Sequence, residues 1–365
     1  MIIKLNRIDV REYWRMLLAW IRPLRAGLWI SAGFLTVDGV WLSLLPVWQI
    51  SYGSVLVTLL AFGLIRAGML AFWWLLFGLR PLVKDLPLWR GAHWVLAVLN
   101  LAALALALYG FVVEPTQLTV TRIEVVVPGL TRPVRVVQLS DIHVERTSQR
   151  ELALPGLVAG LHPDIIVLTG DYVSKLYPGD TQMRDDLRAL VGQLHAPMGV
   201  YAVNGNVETP YEEHRLLDGL GVQILDNKLV RLPGLGDHFV ILGVDFNKYS
   251  PDQRALARLM KQLQPEDFSL LLYHKPDMAY TARNLGVDLY LTGHTHGGQV
   301  RLPFYGALVT NSSLGKQFEM GRYQLDQMTM FVTRGIGMGG RFSPRVRFLC
   351  PPEVVVIDLV PAPSP

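Results

Sequence analysis

Seven residues of this 365-residue chain have types and spacing suited to joint chemistry: Asp141, His143, Asp171, Asn206, His274, His294 and His296. They fall in five short blocks, Asp141-Ile-His143, Gly170-Asp171, Gly205-Asn206, His274 and Gly293-His-Thr-His296. Each block follows a run rich in Val, Ile, Leu or Tyr that predicts a buried β-strand, over 134–139, 165–168, 200–203, 270–273 and 289–291. Strands that deliver polar side chains at their C-terminal ends build a site, because ligands of open α/β sheets bind in the crevice outside those ends. Carboxylates, imidazoles and one amide without a thiolate suit manganese, iron or zinc. Seven donors are too many for one tetrahedral ion. Two ions sharing one carboxylate would use them all and would clamp the attacking and leaving oxygens of a phosphoryl displacement. Asp171 is the natural shared ligand.

The ordered blocks resemble those of the calcineurin-like binuclear metallophosphoesterases, D-x-H, G-D, G-N-H-D/E, H and G-H-x-H. The likeness runs from about Val134 to near Leu359. It implies a four-layer α/β/β/α sandwich. It also implies a first ion on Asp141, His143, Asp171 and His296, and a second on Asp171, Asn206, His274 and His294, with a hydroxide between them. One block departs: Gly205-Asn206-Val207-Glu208 carries valine where the family has histidine, and Glu208 is expected to support the ligands from behind. The stretch 293–303, the Arg334-Gly-Ile-Gly337 turn and the closing strand over 351–358 resemble the bacterial membrane-associated subgroup.

Taken singly, these residues carry little weight, since a lone histidine at a strand end is usually a satisfied structural one. Order and number reverse that reading. The run 335–340, with four glycines, fits no P-loop spacing and is read as a flexible turn without a role. His93, His162, His195 and His238 have no partner pattern and are read as structural or solvated.

Upstream of about residue 114 the chain is dominated by apolar and aromatic runs. Spans over 27–48, 53–79 and 93–113 are long enough to cross a bilayer, with Trp29, Trp48, Trp89 and Trp94 near their ends. The expected division is 1–114 as a membrane region of three transmembrane helices, 115–133 as a linker and first strand, and 134–365 as the catalytic domain. Residues 1–92 hold ten Lys/Arg against four Asp/Glu, a balance of +6 that leaves about −2 for the rest of a chain of net charge +4. A catalytic part without basic excess argues against nucleic acid as a partner. The basic residues belong to topology. Lys4, Arg7, Arg11, Arg15, Arg22 and Arg25 precede the first span, and Arg80, Lys84 and Arg90 follow the second. The positive-inside rule then places the catalytic domain on the extracytoplasmic face of a bacterial inner or cell membrane. Residues 1–25 fit either an amphipathic surface helix or a simple flanking charge cluster.

Asp38 and Arg66 fall at similar depth in consecutive antiparallel spans, where unpaired charge is costly, so the two are expected to meet. Cys350 is the only cysteine, which excludes an intrachain disulfide. No cleavable signal peptide is evident, so the spans are expected to remain as anchors. Helical periodicity marks 183–194 and 253–263, and further strands are expected over 123–127, 222–232, 239–244 and 328–332.

The expected activity is hydrolysis of a phosphomonoester or phosphodiester by a membrane-anchored enzyme. Asp171, Asn206 and His294 are the catalytic candidates. A lipid-linked phosphate is the first expectation for substrate, because an anchor raises its effective concentration. UDP-diacylglucosamine hydrolases of the same superfamily also lack the third-block histidine, but they act on the cytoplasmic face, opposite to the topology expected here. The alternative is a non-catalytic membrane sensor or assembly subunit that keeps a metal-stabilised phosphoesterase fold.

Overall fold

The computed structural model describes residues 10–45, 52–78, 92–174, 181–235, 238–246, 252–339 and 344–362. The interspan connections at 46–51 and 79–91, with Trp48, Arg80, Lys84, Trp89 and Arg90, lie outside the described residues, as do Lys4 and Arg7. The chain forms two compact units that divide between Tyr109 and Gly110.

The first unit contains helices α1 (Val10–Leu44), α2 (Tyr52–Gly78) and α3 (Ala92–Leu108). Leu24–Leu44 within α1, Val55–Leu76 within α2, and His93–Thr116, which runs on past the end of α3, are long and apolar enough to cross a membrane. Leu64, Trp29 and Trp94 are among many large apolar side chains left exposed, as lipid-facing positions would be. The basic stretch over 10–25 is continuous with the first span in one 35-residue helix. A separate surface helix does not form over those residues.

Asp38 and Arg66 do meet. Arg66 Nε donates to Asp38 Oδ2 at 2.5 Å, and its Nη1 donates to Asn100 Oδ1 at 2.7 Å. Asn100 returns its amide N–H to the Leu96 carbonyl at 2.8 Å. All three side chains are buried, so one polar network joins the three helices. Low polarity around such a network makes every missing partner expensive.

Among the described residues the second unit has fourteen strands: β1 (Thr119–Val127), β2 (Val134–Leu139), β3 (Ile165–Leu168), β4 (Val200–Ala202), β5 (Val222–Ile224), β6 (Lys228–Arg231), β7 (Phe239–Gly243), β8 (Phe268–Leu272), β9 (Leu289–Thr292), β10 (Arg301–Leu302), β11 (Gly306–Ala307), β12 (Gly321–Leu325), β13 (Met328–Val332) and β14 (Glu353–Pro361). One sheet has the order β1-β14-β2-β3-β4-β5, the other β12-β13-β9-β8-β7-β6, and β10-β11 is a separate hairpin. Its described α-helices are α4 (Gln149–Gly160), α5 (Thr181–Val191), α6 (Pro210–Leu217), α7 (Asp252–Met260) and α8 (Ala279–Asn284).

Strand alternation sorts the side chains into layers. Ile165, Val167, Leu289 and Leu291 point into the core between the sheets, with Phe239, Leu270 and Phe331. Ile166 and Leu168 point the other way, to Leu154, Val158 and Leu187 of α4 and α5. On the far side, Leu271 and Tyr290 meet Leu256 and Leu259 of α7 and Ala282 of α8. The result is an α/β/β/α sandwich.

Two local expectations need correction. The stretch 222–232 is two strands, β5 in one sheet and β6 in the other, parted at Asp226 and Asn227. Asn227 takes φ 51°, a left-handed conformation that Asn tolerates better than most residues. The strand expected over 123–127 begins earlier, at Thr119, and pairs along its whole length with β14.

Candidate metal centre

Parallel pairing of β2 with β3, β3 with β4, and β8 with β9 brings their C-terminal ends to one edge of the sandwich. Asp141 and His143 follow β2, Asp171 follows β3, Asn206 follows β4, His274 follows β8, and His294 and His296 follow β9. All seven meet there. Asp141, His143 and His296 form one group of converging donor atoms, and Asp171, His274 and His294 form a second. His143 Nε2 and His296 Nε2 face each other at 3.1 Å, and His296 Nε2 lies 3.4 Å from Asp141 Oδ1. In the second group, His274 Nε2 lies 3.1 Å from Asn206 Oδ1 and 3.2 Å from His294 Nδ1. Asp171 Oδ2 links the groups, 3.4 Å from His143 Nε2 and 3.4 Å from His274 Nε2.

Other contacts select the nitrogen that faces inward. His274 Nδ1 bonds the Thr169 carbonyl at 2.7 Å, and His294 Nε2 lies 3.2 Å from the Asn311 carbonyl. Such acceptors leave the opposite nitrogen's lone pair available to a metal. The Asp141 carboxylate is aimed by Ser140 Oγ at 2.6 Å and by the His294 N–H at 3.0 Å. Glu208 is buried behind Asp171 and accepts the backbone N–H groups of Asp171, Tyr172 and Val173 at 3.1, 2.7 and 3.2 Å.

Electrostatics fit the same picture. Burial holds His143 down at about 4 and His294 at about 3, and pushes His296 well below the usual range, so these rings are neutral donors. Burial also works against charge on His274, but the Asp171 carboxylate overrides it and raises the ring to about 9. A divalent cation held by His274 would take the place of that proton. Burial lifts Asp141 to about 6. Facing imidazole nitrogens flanked by buried carboxylates form a set that a cation stabilises. The residues present therefore fit divalent metal ions.

The backbone is strained to reach this arrangement. Five of the seven residues, Asp141, His143, Asp171, His294 and His296, have φ between 44° and 69°. Left-handed backbone costs non-glycine residues energy and persists only where surrounding contacts enforce it. Here those contacts include Asp141 N to Gly170 O at 2.9 Å, His143 N to Asp171 O at 3.0 Å and Gly337 N to Asp141 O at 2.6 Å.

The glycine-rich run after β13 is not a role-free turn. A Cβ on Gly339 would lie 2.7 Å from His296 Nε2 and 2.8 Å from His143 Nε2, and one on Gly337 would strike the Ile142 carbonyl. Arg347, fully buried, fixes this run by donating to the carbonyls of Arg334, Gly335, Gly337 and Cys350. The repeated glycines were a signal of close backbone approach; Arg347 had none. His214, on α6, is held by Asp218 at 3.0 Å and Asp226 at 2.8 Å. Cys350 is buried, with Sγ 3.1 Å from the His296 carbonyl.

The calcineurin-like phosphoesterase family model matches residues 134–298, which hold all seven donors. The metallophosphoesterase YkuE of Bacillus subtilis is 32% identical over 243 residues, 62% of this chain and 78% of its own length. The phosphodiesterase YaeI of Escherichia coli is 28% identical over 239 residues, 62% of this chain and 83% of its own. The UDP-2,3-diacylglucosamine pyrophosphatase LpxG of Chlamydia muridarum is 22% identical over 313 residues, 67% of this chain and 90% of its own. With its sandwich, its converging donors and these relatives, the chain belongs to the calcineurin-like metallophosphoesterase family and is a metal-dependent hydrolase of phosphoric ester bonds.

Proposed function

We propose a membrane-anchored phosphoesterase that holds two metal ions and acts on a lipid-linked phosphoester or phosphoanhydride. The observation that carries the two-ion reading is the position of Asp171 Oδ2, at 3.4 Å from one imidazole of each group. Asp141, His143 and His296 would hold one ion, and Asn206, His274 and His294 the other, with Asp171 shared. Bound there, such ions supply Lewis acidity at phosphoryl oxygens and lower the pKa of water. The chain's own residues orient and exclude. Asp171 lies between the two groups, and Asn206 and His294, both half-buried, are the donors most open to a substrate.

The lipid-linked class rests on three supports. Residues 1–114 read as a membrane region, 115–133 as the passage into the domain and first strand, and 134–365 as the catalytic domain. LpxG, by its name, acts on a diacylated sugar nucleotide. The hairpin β10-β11 and its return limb expose Leu302, Phe304, Tyr305, Leu308 and Val309. That limb continues to Asn311, whose carbonyl touches His294. An exposed apolar group of this kind beside a polar site suits acyl chains.

Asp171→Ala is the direct test of the site. Loss of both ions with at least a thousandfold loss of turnover is expected; two retained ions with normal turnover would refute the shared ligand. Lipid-linked and soluble phosphoesters assayed side by side test the substrate class, and faster hydrolysis of the soluble ones counts against it. For topology, Leu152→Cys in a Cys350→Ser background offers an exposed thiol. Labelling by an impermeant maleimide in intact spheroplasts supports the extracytoplasmic face. Labelling only after permeabilisation would place the domain in the cytoplasm, the side on which a UDP-linked substrate is found.

A further inference from the structure

We infer that Glu213, Asp226 and Asp245 form a second, separate cation site, suited to a hard divalent cation of the calcium class, at the point where the chain passes from one sheet to the other. Glu213 lies on α6, Asp226 in the turn between β5 and β6, and Asp245 just after β7. One carboxylate oxygen of each lies within 4.8 Å of the others.

Three carboxylates together are common enough on protein surfaces, but these are arranged differently. Each has one oxygen held by a neighbour: Glu213 Oε1 by Tyr172 Oη at 3.3 Å, Asp226 Oδ2 by His214 Nε2 at 2.8 Å, and Asp245 Oδ2 by Asn227 Nδ2 at 3.2 Å. The remaining oxygens, Glu213 Oε2, Asp226 Oδ1 and Asp245 Oδ1, are buried and have no hydrogen-bond partner. Glu213 is 0% and Asp245 5% exposed. A buried carboxylate oxygen without a donor is costly, and three at one place require positive charge or protons between them.

Oxygen donors alone, with no nitrogen or sulfur in the group, select hard cations. Asp226 is the least buried of the three and gives an ion a route in. Of the three carboxylates, His214 and Lys228 form ion pairs only with Asp226, Lys228 at 3.8 Å. An ion here would fasten the crossing between the sheets and, through Glu213 and Tyr172, the residue that follows Asp171.

The test uses the full-length chain in detergent, loaded with manganese and then dialysed against calcium. Elemental analysis is expected to find one calcium per chain, with a rise in melting temperature on the order of 5 °C at a hundredfold excess over Kd. Glu213→Gln should abolish that calcium and the thermal shift while manganese content is unchanged. Asp226→Asn, at the accessible side, should weaken calcium binding at least tenfold and serves if the first variant does not fold. Absence of calcium from the wild-type chain, or wild-type affinity in either folded variant, would overturn the site. Calcium that survives Glu213→Gln would belong to the catalytic centre.

Discussion

Val207 holds Asp171 by its backbone: its N–H donates to Asp171 Oδ1 at 2.9 Å. Oδ2 is thereby left to face both imidazole groups. The position that lacks the family's histidine thus acts through its backbone, while its side chain packs half-buried against the core under the first sheet. Val207→His should retain the metal content and lose about 1 kcal/mol of stability from the changed packing. An imidazole there would serve as general acid, worth on the order of 10²–10⁴ in rate on poor leaving groups. Alkyl phosphoesters should gain more than aryl ones. An equally shallow leaving-group dependence in both forms would show that this position does not protonate the leaving oxygen.

Gly339→Ala would press a methyl group against both facing imidazoles of the first group. Metal affinity at that group should fall about 10–100-fold, the usual consequence of displacing a ligand's support. The second group should be unaffected. Metal titration followed by elemental analysis measures both, and unchanged affinity would show that the run 335–339 yields without disturbing the rings.

In the first unit, Asp38→Ala would leave the buried Arg66 without its carboxylate, at a cost of about 3–5 kcal/mol. The exchange Asp38→Arg with Arg66→Asp should recover part of that loss. Recovery is incomplete because Asn100 now presents its oxygen to a donor and would have to present its amide to a carboxylate. Melting temperature in detergent reads the effect. An exchange variant no more stable than either single variant would show that the pair contributes no coupling.

Calcium uptake at Glu213, Asp226 and Asp245 should fall as pH drops through about 7. Burial, then Asp226 and Asp252, push Asp245 up to about 7, with Lys228 and His214 opposing, and burial also raises Glu213. For the ion-free protein the linkage has a definite sign. An acid whose folded pKa is raised binds more protons folded than unfolded, so its contribution to stability falls as pH rises from about 4 to 7. Calcium should remove that loss. Melting curves from pH 5 to 8 with and without calcium should diverge toward high pH; parallel curves would exclude coupling between the ion and these carboxyls.

The strands were legible because their runs of Val, Ile and Leu are buried on both faces, and the seven donors because each stands where such a run stops. Asp38 and Arg66 were legible as two charges in apolar surroundings. Asn100 was not, since one amide in an Ala- and Leu-rich span says nothing of its neighbours. The break in 222–232 was overlooked although Asp226-Asn227 is a turn signal, because the apolar residues on either side mask a change of sheet. Arg347 left no trace: it acts on carbonyl groups, and every residue has one.

The order β1-β14-β2 has a consequence for biosynthesis. β14 runs between the first two strands of the domain, parallel to one and antiparallel to the other. During translation, β1 and β2 therefore wait without their common partner while more than two hundred residues are made. The run 335–339 waits as well, because Glu353 N–H bonds Gly335 O at 3.0 Å. Unpaired strand edges are where nascent chains aggregate. The run that lies against His143 and His296 therefore gains this backbone partner only when β14, the last strand of the fold, is in place.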